Sequence, residues 1–127
     1  MGNLIFARCA KCGNFVAFIG KKSGCTPQCC GEEMTVLKAN STDGANEKHV
    51  PDVKIEGDKV IVQVGSTLHP ALPEHYIAFI CLETDKGCQL KSITPGDEPK
   101  AEFLLNGEKA VAVYEFCNLH GLWVKDL

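Results

Sequence analysis

The chain has 127 residues, 45% of them hydrophobic and 23% charged, a make-up that can bury one sizeable core and excludes a disordered tail. Its net charge of −3 offers no basic face to a phosphate backbone, so nucleic acid is not an expected partner. The longest apolar run, 76–82, is too short to cross a bilayer, and the first residues lack the basic start and apolar stretch of a leader; a cytoplasmic chain with no membrane partner is expected.

Eight cysteines in such a chain point to metal ligands or reactive thiols, because the cytosol keeps thiols reduced. The first pair, in Cys9-Ala10-Lys11-Cys12-Gly13, flanks a turn closed by glycine, and its counterpart is Cys25-Thr26-Pro27-Gln28-Cys29-Cys30-Gly31. A C-x-x-C pair with a second cysteine cluster about twenty residues on is the pattern of a tetrahedral all-sulfur site, suited to zinc or a single iron; redox disulfides are the competing reading. Three thiols compete for two places in the second cluster. Cys29 and Cys30 are the choice, with Cys25 spare, although Cys25 with either of the others is geometrically allowed, since adjacent cysteines must bend their backbone to share an ion. Some thirty-five residues, roughly counted, are too few for a self-sufficient core, so a metal is expected to supply much of this segment's folding energy.

Residues 39–46, small, polar and turn-rich, read as a linker, which sets a metal-binding domain at 1–37 apart from a second domain at 38–127. Beyond the linker the periodicity is that of strands. Val60, Val62 and Val64 alternate within 59–64, and 77–83 is β-branched and aromatic; 88–94, 101–105, 109–116 and 122–125 complete the set. Glu56-Gly57-Asp58, Asp85-Lys86-Gly87, Pro95-Gly96-Asp97 and Asn106-Gly107 are turn sequences between them. No segment carries a helical period with caps. About seven short strands predict an all-β second domain, a β-sandwich of immunoglobulin-like proportions, ahead of a closed barrel.

The chemistry gathers at the C-terminal end, in Cys117-Asn118-Leu119-His120-Gly121. A thiolate and an imidazole three positions apart, followed by glycine, can present two ligands from one loop. The other histidines stand in short Pro-bearing segments, His49-Val50-Pro51 and His69-Pro70-Ala71-Leu72-Pro73-Glu74-His75. A proline after His69 pushes that residue to extended backbone and removes freedom before any ligand arrives. One histidine on a strand is more often a satisfied side chain than a ligand, but His49, His69, His75 and His120 with Cys117 make five donors. Structural zinc takes four, so five suggest an octahedral metal with one position open.

The segments Glu47-Lys48-His49-Val50-Pro51, His69-Pro70, His75-Tyr76, Thr94-Pro95-Gly96-Asp97 and Cys117-Asn118-Leu119-His120-Gly121 resemble those of the superoxide reductases. The pattern of Cys9 and Cys12 with Cys29 and Cys30 is similar to the desulforedoxin-like domain of the two-iron members, the desulfoferrodoxins. The resemblance covers essentially the whole chain; the extra Cys25 departs from the pattern. It implies a desulforedoxin-like N-terminal domain followed by an immunoglobulin-like β-sandwich. It also implies a C-terminal iron with His49, His69, His75 and His120 equatorial and Cys117 axial, and an N-terminal iron on Cys9, Cys12, Cys29 and Cys30, where zinc is the alternative.

The activity implied is one-electron reduction of superoxide to hydrogen peroxide, with a rubredoxin-type carrier as donor and a homodimer as the assembly. Lys48 is the candidate for the positive charge that draws in the anion and organises a proton-delivering water. Glu47 is implied as a carboxylate that occupies the sixth position between turnovers, against a plain loop glutamate paired with Lys48. Cys81 and Cys88 read as structural thiols, and Tyr76 and Trp123 as residues packed around the site. An electron carrier without catalysis and a binding module built on structural zinc are the competing classes.

Overall fold

A computed structural model describes residues 2–42 and 44–127. Met1 and Asp43, the latter inside the stretch expected to be a linker, lie outside the described residues. The chain divides into two compact units, Asn3–Lys38 and a larger one formed by Ala39–Leu127 together with Gly2.

In the smaller unit β1 (Phe6–Arg8) pairs antiparallel with β2 (Phe15–Ala17) on one side and with β5 (Thr35–Val36) on the other. A second ribbon joins β3 (Gln28–Cys29) to β4 (Glu32–Glu33). Its two-residue loop is Cys30-Gly31, and both residues have positive φ, 53° and 79°. That is the backbone of a turn whose twist matches the flanking strands. It also solves the problem of adjacent cysteines, because the left-handed residue turns Cys30 back toward Cys29. The buried apolar content of this unit centres on Ala7, Cys9 and Met34, with Val16, Phe18 and Cys29 against them, a core too small to stand on hydrophobic burial alone.

The larger unit holds two antiparallel sheets. One has the order β10-β7-β6, from β6 (Pro51–Glu56), β7 (Lys59–Val64) and β10 (Lys100–Leu104). The other has the order β12-β11-β8-β9, from β8 (Ile77–Thr84), β9 (Cys88–Ser92), β11 (Ala110–Cys117) and β12 (Gly121–Asp126). Alternation puts Val60, Val62 and Val64 of β7 on the inner face, where they meet Ile80 and Leu82 of β8, Phe103 of β10 and Val113 of β11. This is the all-β arrangement, a cysteine-rich unit followed by a β-sandwich, that the sequence leads one to expect.

Three features differ from the sequence reading. A single helical turn, α1 (Asn46–His49), precedes β6 and has no side-chain cap. β6 itself was not anticipated, because most of its side chains are exposed and its charged residues obscure the alternation. Residues 39–42 are not a loose linker: Asn40 donates its backbone N–H to the Leu122 carbonyl (2.9 Å), and its side chain makes two bonds to the backbone of Val124.

Candidate metal centres

Four thiols converge in the smaller unit, with the sulfurs of Cys9, Cys12, Cys29 and Cys30 all within 4.8 Å of one another. The turn closed by Gly13 (φ 82°) carries the first two, with the Gly13 N–H on the Cys9 carbonyl at 3.0 Å. The Cys12 N–H donates to the Cys9 sulfur (3.4 Å), and the Asn14 side-chain amide donates to the Cys29 sulfur (3.5 Å). These donors favour thiolates. The N–H of Cys12 is the main reason the Cys9 thiol falls to about 6, whereas the neighbouring thiols of Cys12, Cys9 and Cys29 push Cys30 up to about 12. Four sulfurs so close cannot all ionise without a cation among them, so the set fits a tetrahedral metal ion. Cys25 is exposed, and its N–H donates to the Ser23 hydroxyl (3.2 Å).

The second cluster lies in the larger unit, where four separate segments bring His49, His69, His75 and Cys117 within 4.8 Å of one another. His49 ends α1; His69 follows the loop after β7; His75 sits in a bridge with Leu72; Cys117 ends β11. His120 joins them: its Nδ1 is 3.1 Å from His49 Nε2 and 3.8 Å from the Cys117 sulfur.

Which ring nitrogens face the centre follows from the bonds behind them. Nδ1 of His49 is 2.8 Å from the Ala45 carbonyl and Nδ1 of His69 is 2.7 Å from the Pro70 carbonyl. A carbonyl only accepts, so each Nδ1 carries the proton and each Nε2 turns a lone pair inward. His69 Nε2 is 3.4 Å from the Cys117 sulfur, and His75 Nε2 is buried with no hydrogen-bond partner among the described residues. A buried ring nitrogen without a partner, among three other imidazoles and a thiol, is what a bound cation would satisfy. The donor set therefore fits a metal: Nε2 from three histidines, Nδ1 from His120 and one sulfur. Mixed imidazole and thiolate donors suit iron.

Electrostatics agree. Burial is the first cause holding His49, His69 and His75 below the ordinary imidazole range, His69 to about 4, with neighbouring imidazoles adding to it. The neutral form, which a metal requires, is thus favoured at all three candidate ligands. Burial raises the Cys117 thiol, while the backbone N–H groups of Leu119 and His120 partly offset it. An ion would ionise that sulfur and release its proton. Lys48 is exposed and stands next to His49, and its charge is a minor contribution to the lowering of His49 and His75. Glu47 is also exposed, and the tie made to it is through its backbone carbonyl, which accepts from Thr67 N–H (2.8 Å) and the Ser66 hydroxyl (3.3 Å).

Thr42, Asn118 and Glu115 were given no role from sequence, whereas Trp123 was expected to pack around the site and does so. Asn118, between two ligands, accepts from the Tyr76 N–H (2.9 Å) and donates to the Glu74 carbonyl (3.0 Å), clamping the His75 segment to the end of β11. The Thr42 hydroxyl and Trp123 Nε1 (3.0 Å) both donate to the His120 carbonyl. Trp123 also stacks on the His49 ring, at 5.0 Å between centroids. Glu115, fully buried two residues before Cys117, has no hydrogen-bond partner for either carboxylate oxygen among the described residues, and burial holds its carboxyl well above the usual range.

Gly65 is the tightest contact behind α1. A Cβ there would stand 2.7 Å from the Glu47 carbonyl oxygen, 2.9 Å from that of Val50 and 3.0 Å from the Lys48 carbonyl carbon, all backbone atoms. Gly65→Ala should therefore displace the turn that carries Lys48 and His49 and cost about 1–3 kcal/mol, the usual range for overpacking. Chemical denaturation together with iron retained after chelator dialysis would check this; unchanged values for both would mean the turn yields freely.

The desulfoferrodoxin family model matches residues 41–126. The desulfoferrodoxin of Nitratidesulfovibrio vulgaris is 42% identical over 116 residues, which cover 91% of this chain and 90% of that protein. The superoxide reductase of Pyrococcus horikoshii is 37% identical over 105 residues, covering 68% of this chain and 91% of that one. The crystal structure of the superoxide reductase from Treponema pallidum matches with a TM-score of 0.80 at 40% identity, over 88% of this chain and 93% of that chain. With a four-sulfur cluster ahead of a mixed imidazole and thiol cluster, and with relatives this similar over nearly its full length, the chain belongs to the desulfoferrodoxin family.

Proposed function

We propose that the chain is a superoxide reductase, converting superoxide to hydrogen peroxide at an iron held by His49, His69, His75, His120 and Cys117. The observation that carries this reading is the convergence of four imidazole nitrogens and one sulfur from separate segments. An ion held by these five donors would keep room for a small ligand, which outer-sphere electron transfer does not need. Ferrous iron in that donor set supplies the single electron.

The rest falls to the side chains. Superoxide becomes hydrogen peroxide on gaining one electron and two protons. Lys48 draws the anion against a net negative chain and orders the water that delivers protons; a unit charge pair near 4 Å is worth about 1 kcal/mol in water and about 4 at a protein surface. Glu47, next to Lys48, supplies the carboxylate that closes the site between turnovers. The Cys117 sulfur donates electron density toward the reacting end. Cys9, Cys12, Cys29 and Cys30 hold a second iron, or zinc, as an accessory centre. Family membership supports an external one-electron donor of rubredoxin type and a homodimeric assembly. Thiols committed to metal, and no disulfide among the described residues, support a cytoplasmic setting. Among the described residues no helix is long and apolar enough to cross a membrane.

Mixing the reduced protein with superoxide and counting products tests the reading. One peroxide per C-terminal iron oxidised is expected, and Lys48→Ala should slow the encounter roughly tenfold and weaken its dependence on salt while retaining iron. Peroxide formed together with dioxygen, with no net iron oxidation, would indicate dismutation instead.

A further inference from the structure

Three cysteines remain once the two clusters have taken theirs: Cys25, Cys81 and Cys88. Two of them belong together. Cys81 lies in β8 and is 2% exposed; Cys88 opens β9 at the surface, so the reading of it as a small buried hydrophobe does not hold. In the β8/β9 register Cys81 faces Leu90 and Glu83 faces Cys88. Residues two apart on a strand share a face, which makes Cys81 and Cys88 diagonal neighbours on the same side of the hairpin. Strand twist shortens one diagonal of such a pair, and Cys88 lies close enough to act on the Cys81 thiol. Burial and the nearby Cys88 push the Cys81 thiol up to about 12. One thiol is therefore open to solvent and the other is held protonated beneath it, the division of labour of an attacking and a resolving cysteine.

We propose that Cys88 and Cys81 form a peroxide-oxidisable thiol pair, separate from both metal centres, that closes to a disulfide across the β8/β9 hairpin. The oxidant is hydrogen peroxide, and its local supply rests on the superoxide reductase reading above. The Cys88 thiolate attacks one peroxide oxygen; the O–O bond breaks, an S–O bond forms, and the departing hydroxide leaves as water on taking a proton. The Cys81 sulfur then attacks the Cys88 sulfur; the S–S bond forms, the S–O bond breaks, and the hydroxyl leaves as water with the proton from Cys81. Two thiols lose two electrons in all, and one peroxide is reduced to two waters. A thiol held protonated attacks slowly, so the second step limits closure and the sulfenic acid on Cys88 has a finite lifetime.

Iron-loaded protein treated with hydrogen peroxide, alkylated and digested with trypsin provides the test. Cleavage after Lys59, Lys86 and Lys91 places Cys81 in residues 60–86 and Cys88 in residues 87–91, each as the sole cysteine of its peptide. The expected result is a joined pair of these peptides, two hydrogens lighter than their sum, that vanishes in Cys88→Ser. In Cys81→Ser a sulfenic-acid probe such as dimedone should instead accumulate on Cys88. Peptides that stay unjoined, or a Cys88 that is labelled equally with and without Cys81, would overturn the proposal. Because peroxide is added directly, failure here is separate from failure of the activity, which would show only when superoxide is the reagent.

Discussion

Replacing Cys117 by serine should strip the C-terminal centre of iron while leaving the N-terminal one loaded. The sulfur is fully buried and stands 3.4 Å from His69 Nε2 and 3.8 Å from His120 Nδ1, and the backbone N–H groups of Leu119 and His120 partly offset the effect of burial on its thiol. Those contacts are set for a large, polarisable anion. A serine oxygen bonds at shorter range, ionises far less readily, and leaves four imidazole donors with no negative donor to offset the charge of the metal. Loss of an outer partner to a metal ligand costs about 10–100-fold in affinity, and loss of the one anionic ligand should cost more. Iron analysis should fall from two per chain to one, the sulfur-to-iron absorption of this centre should disappear, and superoxide reduction should go with it. The four-sulfur centre provides the internal control, since Cys9, Cys12, Cys29 and Cys30 belong to the other compact unit. Retention of both irons with undiminished turnover would remove Cys117 from the ligand set.

How much of this was legible beforehand depends on whether the signal was local. The valines of β7 alternate because one face of the strand looks into the core, and that is visible in six residues. The turn sequences with glycine are visible for the same reason. The candidate ligands are conspicuous as residue types, and their meeting was expected from the count of five donors and from the resemblance; no short window of sequence contains it, because His49, His69, His75 and Cys117 stand on segments far apart in the chain. Features that depend on distant partners were missed or misread. Residues 39–42 look like a linker until Asn40 is seen bonded to β12, and α1 is a single uncapped turn whose place depends on Gly65 and Thr67 behind it. Cys88 looked structural because buried thiols are common, and only the hairpin register reveals that it lies at the surface diagonal to Cys81. Glu115 is the sharpest case. Nothing in Tyr114-Glu115-Phe116 says that its carboxyl is wholly buried, and it is burial rather than any neighbour in sequence that disfavours a charge there.

Trp123→Ala should be the most damaging core substitution near the metal, because one side chain performs three separable tasks. It is 2% exposed, so truncation removes a large buried surface; about 3–5 kcal/mol is the usual cost. Its ring stacks on His49 at 22° between planes, and its Nε1 donates to the His120 carbonyl at 3.0 Å, so two of the five proposed ligands lose support together. Gly44 is packed against the same ring, since a Cβ at that position would stand 2.9 Å from Trp123 Cζ2. The two contributions separate with Trp123→Phe, which keeps an aromatic face against His49 but has no N–H for His120. That variant should lose about 1 kcal/mol for the hydrogen bond plus a share for volume. Iron release to a chelator should therefore accelerate in the order native, Trp123→Phe, Trp123→Ala, in parallel with falling denaturation midpoints. If Trp123→Ala lowered the midpoint yet released iron at the native rate, the ring would be a core residue only, and His49 and His120 would owe their placement to the carbonyls of Ala45 and the β11–β12 turn.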